Sequence, residues 1–173
     1  KEKEDHPYAP LFILLGVLCG LMAWYFTSMN SRVGGFFKSI DKQYKKWLWG
    51  GAILGILIFV FPPLYGEGYE GFTSLMHGNA QELFNNSLFY RFRDIDWVII
   101  LFVIATMFFK VIAMSTTNAA GGVGGTFAPS LFVGAFTGAS LALVCNTLFG
   151  WEVSIVSFTL VGMAGVMSGG VKA

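Results

Sequence analysis

Five long apolar stretches constrain this chain more than anything else in it: Leu11–Phe26, Trp47–Tyr65, Ile95–Met114, Ala128–Phe149 and Val153–Met167. Each approaches the roughly 17–25 residues that a helix needs to cross bilayer hydrocarbon, where a spanning segment must satisfy its own backbone hydrogen bonds. The expected fold class is therefore an all-α membrane protein, a polytopic helical bundle. The first and last stretches are short enough to cross incompletely. A soluble bundle of buried helices is the competing reading. It fits poorly with a charged fraction of 12%, about half the ~25% of an average soluble domain. Trp24 and Tyr25 close the first stretch, Trp47 and Trp49 open the second, Tyr65 and Tyr69 close it, Trp97 opens the third and Trp151 separates the last two. That placement is expected of aromatic belts at lipid–water interfaces.

The rest of the composition narrows the function class. A net charge of +1, with no basic run interleaved with aromatics, argues against a nucleic-acid surface. Cys19 and Cys145 lie inside apolar stretches, where a thiol acts as a small hydrophobe, so neither a disulfide framework nor a metal site is expected. His6 and His77 stand alone in polar connections. No nucleophile–base pair stands out, so the chain is not read as an enzyme and no cofactor is expected. The N-terminal run KEKEDHPYAP lacks a small-residue cleavage pattern, and both ends read as cuts through a longer protein. The whole of residues 1–173 is expected to be part of one transmembrane domain, with no separate soluble domain.

Charge sets the expected orientation. The polar link Thr27–Lys46 carries Arg32, Lys38, Lys42, Lys45 and Lys46 against Asp41, and so is expected on the cytoplasmic side. The link Gly66–Asp94 holds Glu67, Glu70, Glu82 and Asp94 against Arg91 and Arg93, and is expected outside. Its glutamates read as solvated groups rather than a proton relay, and Asp94 and Asp96 beside Trp97 mark an interface. Gly16 and Gly20, Gly51 and Gly55, and Gly134 and Gly138 form small-xxx-small pairs that predict close helix contacts.

After the third stretch comes STTNAAGGVGG, Ser115–Gly125, which is predicted to leave the helix because each glycine costs ~1 kcal/mol there. Irregular backbone beside membrane segments is tolerated where protein buries it or it lines a watery cavity, so a loop dipping back into the membrane is expected. It is not a phosphate cradle: GGVGGTFAPS has no lysine after its last glycine, and no strand is expected before it. What it leads into is a helix start, where unpaired N–H groups and the helix dipole attract anions. Gly124 and Gly125 would let the chain turn and let an ion reach the N–H groups of Thr126 and Phe127. Phe127 would shield that ion from water. Ala128 follows, and Pro129 fits the first turn because its missing N–H costs nothing there. Ser130 supports the same turn. Partial charges suit conduction, which needs release as much as binding.

Lys110 sits late in an apolar stretch, where a charge at mid-membrane costs ~2.5–3.5 kcal/mol on insertion scales. It is expected to face protein or water. Two roles are open for it: drawing anions toward the pathway, or pairing with carbonyls at a neighbouring helix end.

These residues resemble a known family. GGVGGTFAPSLFVGAFTGA is similar to the G-G-x-F-x-P signature of CLC chloride channels and chloride/proton exchangers, at the start of the helix that family calls N. FPPLYGEGYEGF resembles the outward end of its helix J, VGMAGVMSGGVKA resembles its helix O, and Lys110 stands where the family often has a basic residue. The resemblance covers the chain from helix I to helix O and implies a CLC-like fold with broken, re-entrant helices, of which this is a partial chain. It implies a chloride-binding site at the backbone N–H groups of Thr126 and Phe127, a homodimer in which the first segment contributes to the contact, contact with membrane lipid, and no nucleic acid. A multi-pass protein of a bacterial inner membrane is the expected setting. The chain departs from the family pattern at Asn118, Ala119 and Val123, and at Thr126, whose hydroxyl would face the ion or cap the helix. The family's Gly-Ser-Gly-x-Pro loop, the loop with the gating glutamate, the internal proton-handling glutamate and the late tyrosine do not occur here. The resemblance thus implies one wall of an anion pathway. Alternatives are a helical scaffold or subunit-contact segment, and a fluoride-selective relative.

Overall fold

A computed structural model describes residues 8–65, 73–74, 77, 82–83, 85, 89–92 and 94–170. Among these residues the chain is helical, with no strand. Its principal helices run in the order α1 (Ala9–Lys38), α2 (Gln43–Val60), α3 (Asp96–Ala119), α4 (Phe127–Phe149) and α5 (Ile155–Gly170). His6, Glu67, Tyr69 and Glu70 lie outside the described residues, as does most of the link expected on the outer side.

Along α1, Leu15, Cys19, Met22, Ala23 and Phe26 recur at helical spacing and form its buried stripe, while Ile13, Val17, Leu21 and Trp24 face outward. An outward face that apolar is what a lipid surrounding accepts. The helix continues to Lys38, so the polar link expected at Thr27–Lys46 shrinks to the few residues before Gln43. Polar side chains do not stop it, because Thr27 Oγ1 donates to its own helix at Ala23 O, 3.1 Å away. Thirty residues rise ~45 Å, longer than the ~30 Å of hydrocarbon. The helix must therefore tilt or reach into the aqueous layer.

The stretch expected to cross at Trp47–Tyr65 is shorter as a helix. It ends at Val60 because Pro62 and Pro63 follow: the residue before a proline is pushed out of the helical region, and Phe61 sits at φ −124°, ψ 83°. Phe61 packs within 5.0–6.1 Å of the rings of Phe89, Phe102 and Phe109. Among the described residues, three helices are long and apolar enough to cross a membrane: α1, α3 and α4. α5 is a shorter apolar helix.

α4 is the core helix, buried continuously from Phe132 to Leu141 and on to Ala142, and it packs most extensively on α5, with α3 and α1 beside it. Glycines make that contact close. A Cβ on Gly134 would run into the backbone of Gly162 and Met163, and one on Gly138 into Phe158. The pair Gly134/Gly138 therefore packs as its spacing predicts, and Gly162 completes it from α5. The pairs Gly16/Gly20 and Gly51/Gly55 do not: nothing lies within 4 Å of a Cβ built on any of them. They lie on outward faces, where spacing alone cannot create a neighbour.

The α4–α5 connection is locked by one side chain. Asn146 Nδ2 donates to Val153 O at 3.1 Å, and Val153 N donates back to Asn146 Oδ1 at 2.8 Å. Gly150, at φ +62°, supplies the left-handed turn between them. On this packing, Gly138→Ala in the full-length protein is expected to cost ~1–3 kcal/mol through overpacking, seen as a lower midpoint of thermal unfolding in detergent. An unchanged midpoint would mean that α4 and α5 stand farther apart.

Candidate functional site

Asp96 in the first turn of α3 favours the helix start, and α3 then runs past the point where Ser115 was expected to break it. The polar run stays helical because its side chains bond within the helix: Thr117 Oγ1 donates to Ala113 O at 2.9 Å, and Asn118 Nδ2 approaches Met114 Sδ at 3.1 Å. The break comes at Gly121, at φ +97°, a conformation that side-chain-bearing residues avoid. There Gly121 N donates to Asn118 O at 3.2 Å and Gly122 N to Thr117 O at 2.9 Å, the paired bonds of a Schellman ending. From α2, Gln43 Nε2 donates to Ala120 O at 3.2 Å. The sharp turn thus belongs to Gly121 rather than to Gly124 and Gly125, for neither of which a left-handed conformation is found.

Six residues after Gly121, α4 begins at Phe127 with Thr126 as its cap residue, and Thr126 makes no side-chain capping bond. Within the helix the first N–H with an acceptor is that of Ser130, which donates to Thr126 O at 3.1 Å. Pro129 has no N–H, so the donors left over at this helix start are those of Thr126, Phe127 and Ala128. Ser130 Oγ turns inward to Phe127 O at 2.7 Å. The end of α3 is therefore closed by its own turn, and the start of α4 is open.

This start faces a cavity of about 630 Å³. Gly124, Gly125, Phe127, Ala128 and Pro129 line it from the loop and α4, Lys110 and Asn118 from α3, and Leu54, Ile58 and Tyr65 from α2 and the turn after it. Of the residues nominated from sequence, all but Thr126 line this one space. Thr126 and Phe127 are both exposed. The space around the glycines differs. A Cβ on Gly124 would meet Asn118 Oδ1 at 2.7 Å, whereas one on Gly125 would meet nothing within 4 Å.

Lys110 is 3% exposed. Its Nζ donates to Leu64 O at 3.1 Å and lies 5.0 Å from the centroid of the Phe132 ring. The carbonyl-pairing role weighed for it describes this hydrogen bond. Gln43, Tyr65 and Asn118 were not singled out as site residues from sequence. Gly121 carried a legible signal, as the first glycine after a helical run; Gln43 carried none, because its partner Ala120 lies 77 positions away.

The family described as voltage gated chloride channel matches residues 3–173. The chain belongs to that family. Among curated proteins it is similar to chloride channel protein CLC-e of Arabidopsis thaliana, with 29% identity over 175 residues, covering 92% of this chain and 23% of that protein. It is likewise similar to chloride channel protein CLC-f of the same plant, 30% identical over 174 residues, covering 92% of this chain and 20% of that protein. The chain thus spans between a fifth and a quarter of the length of these CLC relatives. No solved structure matches it significantly. The helical architecture, with helices long and apolar enough to cross a membrane, is that of a CLC-like membrane protein.

Because Gly121 alone in this loop holds a left-handed conformation, Gly121→Ala is expected to cost ~1–2 kcal/mol. Thermal unfolding of the full-length protein in detergent measures it; a loss no larger than for Gly125→Ala would dissociate the turn from the glycine.

Proposed function

We propose that the chain forms one wall of a pathway for chloride or a similar small anion across a membrane, with the N–H groups of Thr126 and Phe127 as the binding element. One observation carries this reading: an open helix start and a buried cation, Lys110, border the same cavity. An anion there is favoured by partial positive charge without a salt bridge that would hold it fast. Phe127, exposed at the rim, is the group that would shield it. Membership in a chloride channel family supports the same substrate class. Transport with or without proton coupling, and selectivity for chloride or fluoride, are distinguished by assay. A homodimer with α1 at its contact is part of the proposal, supported by the exposed apolar face of that helix. Its proposed setting is a bacterial inner membrane; both named relatives are plant proteins.

The test is simultaneous chloride and proton flux from liposomes holding the full-length protein. Chloride coupled to opposing protons identifies an exchanger, and chloride alone a channel. Gly125→Ala places a methyl toward open space and is expected to lower chloride flux about fivefold or more, a loss of ~1 kcal/mol in anion stabilisation, with assembly retained. Lost assembly with flux per assembled protein unchanged would favour the scaffold reading.

Lys110→Met is expected to lower chloride flux about threefold or more, since it removes a positive charge from the cavity wall. Unchanged flux with a lower unfolding midpoint would confine Lys110 to its bond with Leu64.

A further inference from the structure

Between the end of α1 and the first turns of α2 lies a second, smaller cavity of about 340 Å³, lined by Ser39, Ile40, Asp41, Lys42, Lys45 and Trp49. It is separate from the space at the start of α4. Lys38 and Lys46 flank it in sequence, so four lysines stand against one carboxylate within nine residues of chain. Lys42 and Lys45 are exposed, and no ion pair ties either to a carboxylate among the described residues. Lys42 Nζ stands 5.9 Å from the centroid of the Tyr44 ring. Directly after the lysines come Trp47, Leu48 and Trp49, which are 62%, 71% and 56% exposed.

That order, cations and then a band of outward indoles and alkyl groups, is the chemistry of the headgroup layer. The indoles take the boundary level, and the lysines stand just outside it, on the side that the positive charge assigns to the cytoplasm. Anionic lipids of that leaflet are attracted by basic clusters next to a spanning helix. The cavity adds what scattered charge lacks: a concave place lined by two lysines, Lys42 and Lys45, against the single carboxylate of Asp41, with the Ile40 and Trp49 side chains to meet the lipid's glycerol and first methylenes.

We infer that this cavity binds the phosphate headgroup of an anionic phospholipid in the cytoplasmic leaflet, with Lys42 and Lys45 as its cationic contacts and Trp49 against the acyl side. Charge complementarity selects the occupant, and the exposed indoles select a lipid over a soluble phosphate ester. The inference stands independently of which ion the cavity at α4 serves.

Native mass spectrometry of the full-length protein with phosphatidylglycerol or phosphatidylcholine of identical acyl chains tests it. Phosphatidylglycerol is expected to be retained in preference, and the double variant Lys42→Gln/Lys45→Gln to weaken its retention about tenfold or more. Lys42→Arg/Lys45→Arg keeps the charge and is expected to keep the lipid, which separates lost charge from lost fold. Equal retention of the two lipids overturns the inference, as does a Gln variant that holds phosphatidylglycerol like the parent. Displacement of the lipid by equimolar glycerol 3-phosphate overturns the lipid as occupant and leaves a soluble phosphate ester in its place.

Discussion

Everything near the candidate site depends on how one helix ends. In a low-dielectric surrounding an unpaired carbonyl or N–H costs free energy, so a helix that stops inside protein or membrane must dispose of its last backbone groups. At α3 the paired bonds of Gly121 and Gly122 and the amide of Gln43 take up the carbonyls of Asn118, Thr117 and Ala120. Nothing comparable is done for the N–H groups at the start of α4, six residues after Gly121. Two helix ends of opposite polarity lie close together, and only the negative one is quenched. That asymmetry turns N–H donors toward the cavity before any side chain is considered.

The opening would be useless if α4 could shift. Its position is fixed from the far side, where Gly134, Gly138 and Gly162 allow two backbones to meet and Asn146 pins the turn into α5. Packing this close leaves no small displacement available, because interiors resist both voids and overlap. Lys110 contributes from the opposite wall. Its hydrogen bond to Leu64 ties α3 to the proline turn that ends α2, so one buried side chain braces two sides of the cavity.

Much of this was legible in the sequence, and the failures have physical causes. Apolar character and length revealed the helices, and the glycine-to-proline run located the start of α4 within a residue. Ser115–Ala119 was misjudged because polar side chains were counted against the helix, although Thr117 and Asn118 satisfy themselves on the preceding turn. Glycine spacing predicted three close contacts and one formed, since spacing describes a surface and says nothing of what lies opposite it. The bond of Gln43 to Ala120 joins distant parts of the chain and has no local signature at all. Lys110 was recognisable as a charge needing company, but its acceptor, a backbone carbonyl, is written in no side chain.

The open start of α4 also means that the preference for one sign of charge is recorded in the direction of the chain. A helix arriving at the cavity would present oxygen lone pairs and favour a metal cation; one departing from it presents hydrogen. Side chains along 123–126 can therefore change in size or polarity while the electrical sense of the backbone stays as the fold set it. To invert that sense, the polypeptide would have to run the other way.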